Sequence, residues 1–276
     1  NVNGVDTVLL GAADYGRKDK LVRIDAKTGA ITTETEFDYT VDDGEVTITG
    51  YTGSSVDAVI PDTLMGYPVT GIADKAFQLD KILKTVTIGK NVRTVGKQAF
   101  SRCGSMTAIL VADGNESFTS KDGVLYTADG KTLVAYPTMK PDTSYQVAAG
   151  TETIAPYAMY FAKAETVSLP DSLTTLGENA LGYAGNLTTV NLPSSLKTIG
   201  KQAFFNCTAL KQVVIPASVT EIGEGAWAAC GSLKAIETAA DQTGYKSVDG
   251  ILFTADGKTL VAYPNGMGLT AYTVPD

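Results

Sequence analysis

The chain has 276 residues, of which 44% are hydrophobic and 19% are charged, the composition of an ordinary globular protein. It contains no histidine, which excludes Ser-His-Asp and Cys-His catalysis, histidine-ligated metal sites and histidine-based pH switches. Its net charge of −8 argues against nucleic acid or an anionic membrane surface as the main partner. No stretch approaches the roughly 18 consecutive apolar residues of a membrane helix.

The first 44 residues lack the pattern that governs the rest of the chain. Val22 to Ile31 is typical of a hairpin around Lys27-Thr28-Gly29. We interpret residues 1–44 as an N-terminal cap over an open apolar end, or as the tail of an upstream segment. The chain starts at Asn1 without a basic and then apolar segment, so no signal peptide is visible in it.

A repeat begins at about residue 45. The six-residue string aliphatic, small, any, any, Ala, large occurs at 72–77, 95–100, 154–159, 176–181, 199–204 and 222–227. Its last residues, here called the anchors, are 22 or 23 residues apart, except for a gap of 59 residues between Phe100 and Met159. This period is typical of leucine-rich solenoids.

Each repeat contains a short strand followed by a tight corner. Val190 and Leu192 are two residues apart and point to one side of a strand, with Asn191 on the other side. Pro193 ends the strand, because proline cannot donate to a ladder. The Ala before each anchor predicts close stacking of adjacent rungs, and no single repeat can bury its apolar stripe alone.

The long gap contains an insertion, which is itself duplicated. Residues 122–137 reappear at 249–264 with two differences, and apolar runs flank Asp129-Gly130 and Asp256-Gly257. An Asp-Gly pair between apolar runs is a strong hairpin signal. We therefore predict projecting β-hairpins at about 112–144 and 239–271, within a solenoid domain at 45–276 that stops in mid-repeat.

The pattern from Leu210 to Cys230, Leu-x-x-Val-x-Ile-Pro-x-Ser-Val-x-x-Ile-Gly-x-x-Ala-(Phe/Trp)-x-x-Cys, closely resembles the BspA-like leucine-rich repeats. The resemblance implies an α/β leucine-rich-repeat solenoid, a right-handed superhelix with a parallel β-sheet on its concave face and short helical or 3₁₀ corners. It also implies a bacterial surface or secreted protein that contacts proteins of a host or a neighbouring cell. The family brings no catalytic residues.

The three cysteines, Cys103, Cys207 and Cys230, occupy the same repeat position. Their odd number and the lack of a C-x-x-C pair indicate neither a disulfide framework nor a zinc site. We expect free, buried, structural thiols. No metal or other cofactor is expected, and the missing histidine leaves a carboxylate-only hydrolase open, because that mechanism needs no histidine.

The outward side of the strands is the candidate binding surface, because solenoids recognise partners along an extended concave face. Its candidate residues are Lys84, Thr85, Thr87, Thr188, Thr189, Asn191, Lys211, Gln212 and Val214. The alternative is a solvated, threonine-rich face without a partner. Aromatic residues of the hairpins, Tyr126, Tyr136, Phe253 and Tyr263, could form a second surface or pack back on the solenoid.

These observations predict a non-enzymatic, extracytoplasmic module for protein recognition or adhesion, with a host or neighbouring-cell surface protein as its partner. A carbohydrate- or cell-wall-binding accessory module and a passive spacer in a larger surface protein are the alternatives. We expect neither nucleic-acid binding nor direct membrane insertion.

Overall fold

A computed structural model describes residues 7–9, 22–25, 31–33, 36–268 and 272. The described strands, in chain order, are β1 (Thr7–Leu9), β2 (Val22–Asp25), β3 (Ile31–Thr33), β4 (Phe37–Asp42), β5 (Glu45–Tyr51), β6 (Asp57–Val59), β7 (Thr63–Leu64), β8 (Tyr67–Ile72), β9 (Thr85–Ile88), β10 (Thr94–Val95), β11 (Ala108–Val111), β12 (Phe118–Lys121), β13 (Val124–Thr127), β14 (Thr132–Ala135), β15 (Ser144–Gln146), β16 (Thr153–Ile154), β17 (Thr166–Ser168), β18 (Thr175–Leu176), β19 (Thr189–Asn191), β20 (Thr198–Ile199), β21 (Gln212–Ile215), β22 (Glu221–Ile222), β23 (Ala235–Thr238), β24 (Tyr245–Val248), β25 (Ile251–Thr254) and β26 (Leu260–Ala262). A 3₁₀ helix, Asn265–Met267, follows β26.

The amino-terminal strands are antiparallel. β1, β2 and β3 form one sheet in that order, and the pairing of β2 with β3 matches the hairpin predicted for Val22 to Ile31. β4 and β5 form a hairpin whose turn, Asp43-Gly44, has positive φ at both residues. Phe37 of β4 is buried in the solenoid core, so the packed body starts before the boundary at residue 45.

The solenoid has about eight turns, each with one strand on a common side. We call these the face strands: β6, β9, β11, β15, β17, β19, β21 and β23. The face strands pair in parallel within three separate sheets, β6-β9-β11, β15-β17-β19 and β21-β23, as β17 does with β19 through Val167 opposite Val190. Both of these valines are buried, and the residues beside them point outward. Their alternation confirms the inward and outward assignment of the repeat.

A second column of shorter strands, the edge strands, follows the face strands around each turn. From β14 onward, β16, β18, β20 and β22 pair in parallel with two residues each. The fold is therefore a parallel β-solenoid.

The corners that carry the anchors are turns rather than helices. Tyr157, Met159 and Phe161 donate their N–H groups to carbonyls of the next rung, 2.8–2.9 Å away. Tyr157 and Phe161 have φ of 62° and 64°, in the left-handed region. Because these amides bond between rungs, they cannot form i to i−4 bonds. The α/β description is not confirmed: in the described residues, Asn265–Met267 is the only helix.

The glycines before the corners are required by stacking. A Cβ on Gly200 would lie 2.6 Å from the carbonyl carbon of Gly177 on the preceding rung, and neither residue has positive φ. Two copies of the repeat carry alanine there instead, Ala73 and Ala155. Ala155 comes directly after the first insertion, where the regular stack restarts at β14.

The insertions are three-stranded meanders rather than projecting hairpins. β12, β13 and β14 pair antiparallel in sequence, and β14 then continues in parallel with β16 into the solenoid. β24, β25 and β26 repeat the same antiparallel pairings. Residues 269–271 of the second predicted insertion and the mid-repeat end at Val274 to Asp276 lie outside the described residues.

Strand β13 separates two hydrophobic clusters. Leu125 packs into the first cluster with residues such as Leu83, while Val124 and Tyr126 pack into the second cluster with residues such as Leu196. Successive side chains of a strand point to opposite sides, so one strand serves as a wall of both cores. The first insertion therefore lies between the two halves of the solenoid.

Candidate binding surfaces

Six of the nine residues predicted for the binding face lie together. Thr189 and Asn191 are on β19, Gln212 and Val214 are on β21, and each strand is preceded by one further candidate. The six residues that line one open groove are Thr188, Thr189, Asn191, Lys211, Gln212 and Val214. We call this the face groove; its volume is about 840 Å³, and Asp241 lies on its far side.

Polar side chains in the face groove are available to a ligand. Asn191, Lys211 and Gln212 are exposed. Within the part of the chain that the structure describes, their side chains form no hydrogen bond or ion pair with another residue. Val214 is 47% exposed and adds an apolar contact among them.

The other three candidates lie elsewhere on the same side. Thr85 and Thr87 belong to β9, which pairs with β6 and β11 in a separate three-stranded sheet, and Lys84 precedes them. The hydroxyl of Thr85 donates to Asp57 Oδ1 at 2.7 Å. None of these three lines the face groove.

The second surface suggested for the insertions is largely buried. Tyr126, Tyr136 and Phe253 are at most 3% exposed, and Tyr263 is half-buried. The hydroxyl of Tyr126 lies 2.7 Å from that of Tyr145. Tyr126 and Tyr136 belong to the second hydrophobic cluster, so they pack back on the solenoid, one of the two alternatives that the sequence left open.

A buried ion cluster holds the first insertion. Lys140 Nζ lies 3.0 Å from Asp122 Oδ2 and 3.2 Å from Asp142 Oδ2, and only 8% of the lysine side chain is exposed. Burial alone would lower the pKa of Lys140, but the hydrogen bonds to both carboxylates outweigh it and raise the pKa above its usual value. The cluster is an internal clamp rather than a ligand site.

The cysteines are free and buried, as predicted. Each thiol donates to a carbonyl of the preceding rung, for example Cys103 Sγ to the oxygen of Phe77 at 3.0 Å. Burial raises the pKa of Cys103 to about 12, which makes its thiolate unavailable near neutral pH. These thiols have structural roles.

The sequence analysis missed a cluster of aromatic rings on the corner side. We call it the aromatic ladder; it consists of Tyr157, Tyr160, Phe161, Tyr183 and Phe205, all half-buried. Phe161 and Tyr183 stack with centroids 4.7 Å apart and an interplanar angle of 17°. The guanidinium of Arg102 lies over Phe161 at 4.9 Å from the ring centroid.

The positions of these aromatic residues within the repeat indicate this cluster. Phe161 and Tyr183 are two residues after their anchors, where the other rungs have Leu79, Arg102, Asn206 and Ala229. All these positions have positive φ and point their side chains away from the interior of the rung. Aromatic residues at consecutive copies of an outward position would have predicted the ladder.

No group of three or more Cys, Asp or Glu side chains among the described residues is arranged to hold a metal ion. No helix within the described ranges is long and apolar enough to span a membrane.

Parallel short strands, an anchor-and-alanine corner and stacked glycines together define a leucine-rich-repeat β-solenoid. The family model described as "BspA type Leucine rich repeat region" matches six copies, over residues 59–121 and 141–247. The chain belongs to the BspA-type leucine-rich-repeat family.

Solved structures support the same assignment. The crystal structure of the pneumococcal vaccine antigen PcpA is 27% identical, with a TM-score of 0.57 over 68% of this chain and 51% of that one. A leucine-rich cell surface protein from Faecalibacterium prausnitzii is 25% identical, with a TM-score of 0.50 over 84% of this chain and 61% of that one. The chain thus spans 51% and 61% of the length of these two structures. A comparison with curated proteins gave no match.

Proposed function

We propose that this chain is an extracytoplasmic, non-enzymatic protein-recognition module that binds its partner through the face groove. The observation that carries the proposal is the unpaired polar set Asn191, Lys211 and Gln212 beside the exposed Val214, on or next to the face strands β19 and β21, which line one groove. Such a surface offers hydrogen bonds, one positive charge and an apolar contact over several rungs. The family assignment and the cell-surface relative support an interaction role at a bacterial surface.

The proposed partner is a protein of a host or neighbouring cell, so the module would serve adhesion. Solenoids present long faces on which several rungs contact one partner. The proposed face is the concave one. All nine candidates remain within the proposal, with the six residues of the face groove at its centre and Lys84, Thr85 and Thr87 at its far end.

A binding experiment with matched variants tests the proposal. The chain is screened against a panel of purified extracellular-matrix and surface proteins, and each hit is titrated with Asn191→Arg and with Thr94→Arg. Both substitutions place an arginine at an exposed strand position, but Thr94 lies on the edge strand β10, outside the nine candidates and the face groove. We expect Asn191→Arg to weaken binding by about tenfold or more, because a central contact is blocked.

The result can also overturn the proposal. If every hit is insensitive to Asn191→Arg, or if no protein of the panel binds, the face groove is not a recognition surface. The second result would favour the passive spacer.

A further inference from the structure

The corner side of the solenoid has a gap in its hydrogen-bond ladder at the first insertion. The edge strands form one sheet that ends at β10 and another that contains β14 and the rungs after it. A cavity of about 110 Å³ lies between the two, lined by residues 95–101 on one side and by residues 134–136 and 155–158 on the other. We call it the corner cavity. Lys97 lines it and is exposed, so the cavity is open to solvent at that residue.

Two backbone donors at the corner cavity lack the acceptors that other rungs provide. The N–H groups of Lys75 and Phe77 donate to carbonyl oxygens of the next rung at 3.0 and 2.8 Å. Gln98 and Phe100 hold the same positions one rung later and line the cavity, and their N–H groups have no acceptor among the described residues. Phe100 is buried and Gln98 is half-buried. Because an unpaired N–H group away from bulk water costs free energy, these positions favour a ligand with oxygen acceptors.

The first insertion already supplies one such oxygen. Arg102 is the third donor of the same row, and its N–H donates to Thr138 Oγ1 at 3.1 Å. An oxygen from outside the regular stack thus takes the place of a rung carbonyl there. The other two donors, Gln98 and Phe100, are two residues apart, which is at most about 7 Å along an extended chain. A ligand that serves both donors therefore needs two oxygen groups a few ångströms apart.

The side chains at the two ends of this pair differ in charge. Lys97 precedes Gln98, and its amine forms no ion pair within the part of the chain that the structure describes. Ser101 follows Phe100 and lines the cavity; it is 6% exposed, and its hydroxyl has no hydrogen-bond partner among the described residues. One end of the pair therefore favours an anionic oxygen, and the other favours a neutral one.

We propose that the corner cavity binds the free C-terminus of a peptide. The terminal carboxylate accepts from the N–H of Gln98 and pairs with Lys97, while the carbonyl oxygen of the preceding residue accepts from Phe100 and Ser101. Backbone N–H groups capture peptide C-termini in this way. A cavity of about 150 Å³ holds benzene, so the smaller corner cavity fits only a small terminal side chain such as that of alanine. The proposal does not rest on the face groove, which lies on another side of each turn.

Heteronuclear NMR with matched probes tests the proposal. The probes are acetyl-Ala-Ala, its C-terminal amide, acetyl-Ala-Phe and propionate. We expect acetyl-Ala-Ala to bind about tenfold or more tightly than its amide, which keeps both carbonyl oxygens but loses the charge. Acetyl-Ala-Phe should bind more weakly because its ring exceeds the cavity, and propionate because it lacks the second oxygen group. The backbone amide signals of Gln98 and Phe100 should shift on binding.

Substitutions locate the binding. Lys97→Gln is expected to reduce the preference for the acid over the amide. Lys201→Gln is the matched control and should leave the preference unchanged, since Lys201 occupies the same repeat position in a rung that stacks directly on the next one and pairs with Glu224. Ser101→Ala should weaken the acid and the amide alike, and alanine suits this backbone because Ala228 occupies the same repeat position.

Three outcomes would overturn the proposal. They are an absence of binding by acetyl-Ala-Ala, binding of propionate as tight as that of the peptide, and an equal loss of preference with Lys97→Gln and Lys201→Gln. The second outcome would assign the cavity to carboxylates in general rather than to peptide ends. Unchanged thermal unfolding of the variants ensures that a loss of binding reflects the site.

Discussion

At the scale of single residues, stacking of rungs rather than local conformation explains the most regular features of the repeat. Gly177 and Gly200 each leave room for the backbone of the preceding rung, with hypothetical Cβ contacts of 2.6 Å. Ala203, the alanine before an anchor, is fully buried for the same reason. The small residues of the repeat therefore keep neighbouring rungs close together along this chain.

Gly200→Ala is expected to destabilise the chain by about 1–3 kcal/mol, because the new methyl group forces two backbones apart. Chemical denaturation measures the change. Gly231→Ala is the matched control, since no atom lies within 4 Å of a Cβ at Gly231 and its φ is not positive. Equal effects of the two substitutions would contradict the stacking explanation.

At the scale of elements, the two insertions show how nearly identical sequences are fixed in place differently. The two meanders have equivalent registers, with Phe118 opposite Thr127 and Tyr245 opposite Thr254. Lys140 clamps the first insertion, and Met267 occupies the equivalent place in the second. The same position of the duplicated segment is therefore a buried lysine in the first insertion and a half-buried methionine in the second.

Lys140→Ala is expected to cost about 1–3 kcal/mol, at the low end of values for buried ion pairs because Asp122 is largely exposed. Lys140→Met should cost less, since the methionine side chain keeps much of the packing of the lysine stem. Urea denaturation of both variants measures the difference. A larger loss with methionine than with alanine would show that the charge, not the packing, holds the insertion.

Alkaline pH should unfold the region around the first insertion. Burial raises the pKa of Tyr126, Tyr136 and Tyr145 above that of a free tyrosine. Their contribution to stability is complete below the ordinary tyrosine pKa and is lost as pH rises above it, because only the unfolded chain ionises readily. We expect tyrosinate absorbance of these residues to appear together with loss of circular dichroism, and ionisation without unfolding would contradict it.

At the scale of the whole molecule, β13 divides the solenoid into two cores. The first cluster runs from Phe37 to Leu125 and the second from Val124 to Leu252. Each rung contacts mainly its neighbours, so stability is a sum of local terms with a weak junction at β13.

Leu83→Ala should therefore increase hydrogen exchange mainly in residues 37–125, and Leu196→Ala mainly in residues 133–252. Both leucines are fully buried, one in each cluster, and each substitution is expected to cost about 2–5 kcal/mol. Native-state exchange followed by mass spectrometry resolves the two regions. A uniform increase across both regions from either variant would show a single cooperative unit.

The sequence by itself determined the repeat, its register and the burial of the anchors, because each of these is a periodic property that every copy restates. It also predicted the outward positions of β19 and β21, since alternation along a strand assigns sides without any tertiary information. The family followed from the same pattern.

Tertiary structure alone decided the corners, the packing of the insertions and which rungs meet across the first insertion. The corners are turns because their amides bond to the next rung, and the insertions pack inward because Tyr126 and Leu133 complete the second core. Phe161 and Arg102 are 59 residues apart in sequence and meet only because the insertion returns the chain to the next rung. Which rungs come into contact depends on where the chain returns to the solenoid after an insertion. The residue pattern of a single repeat does not specify that point.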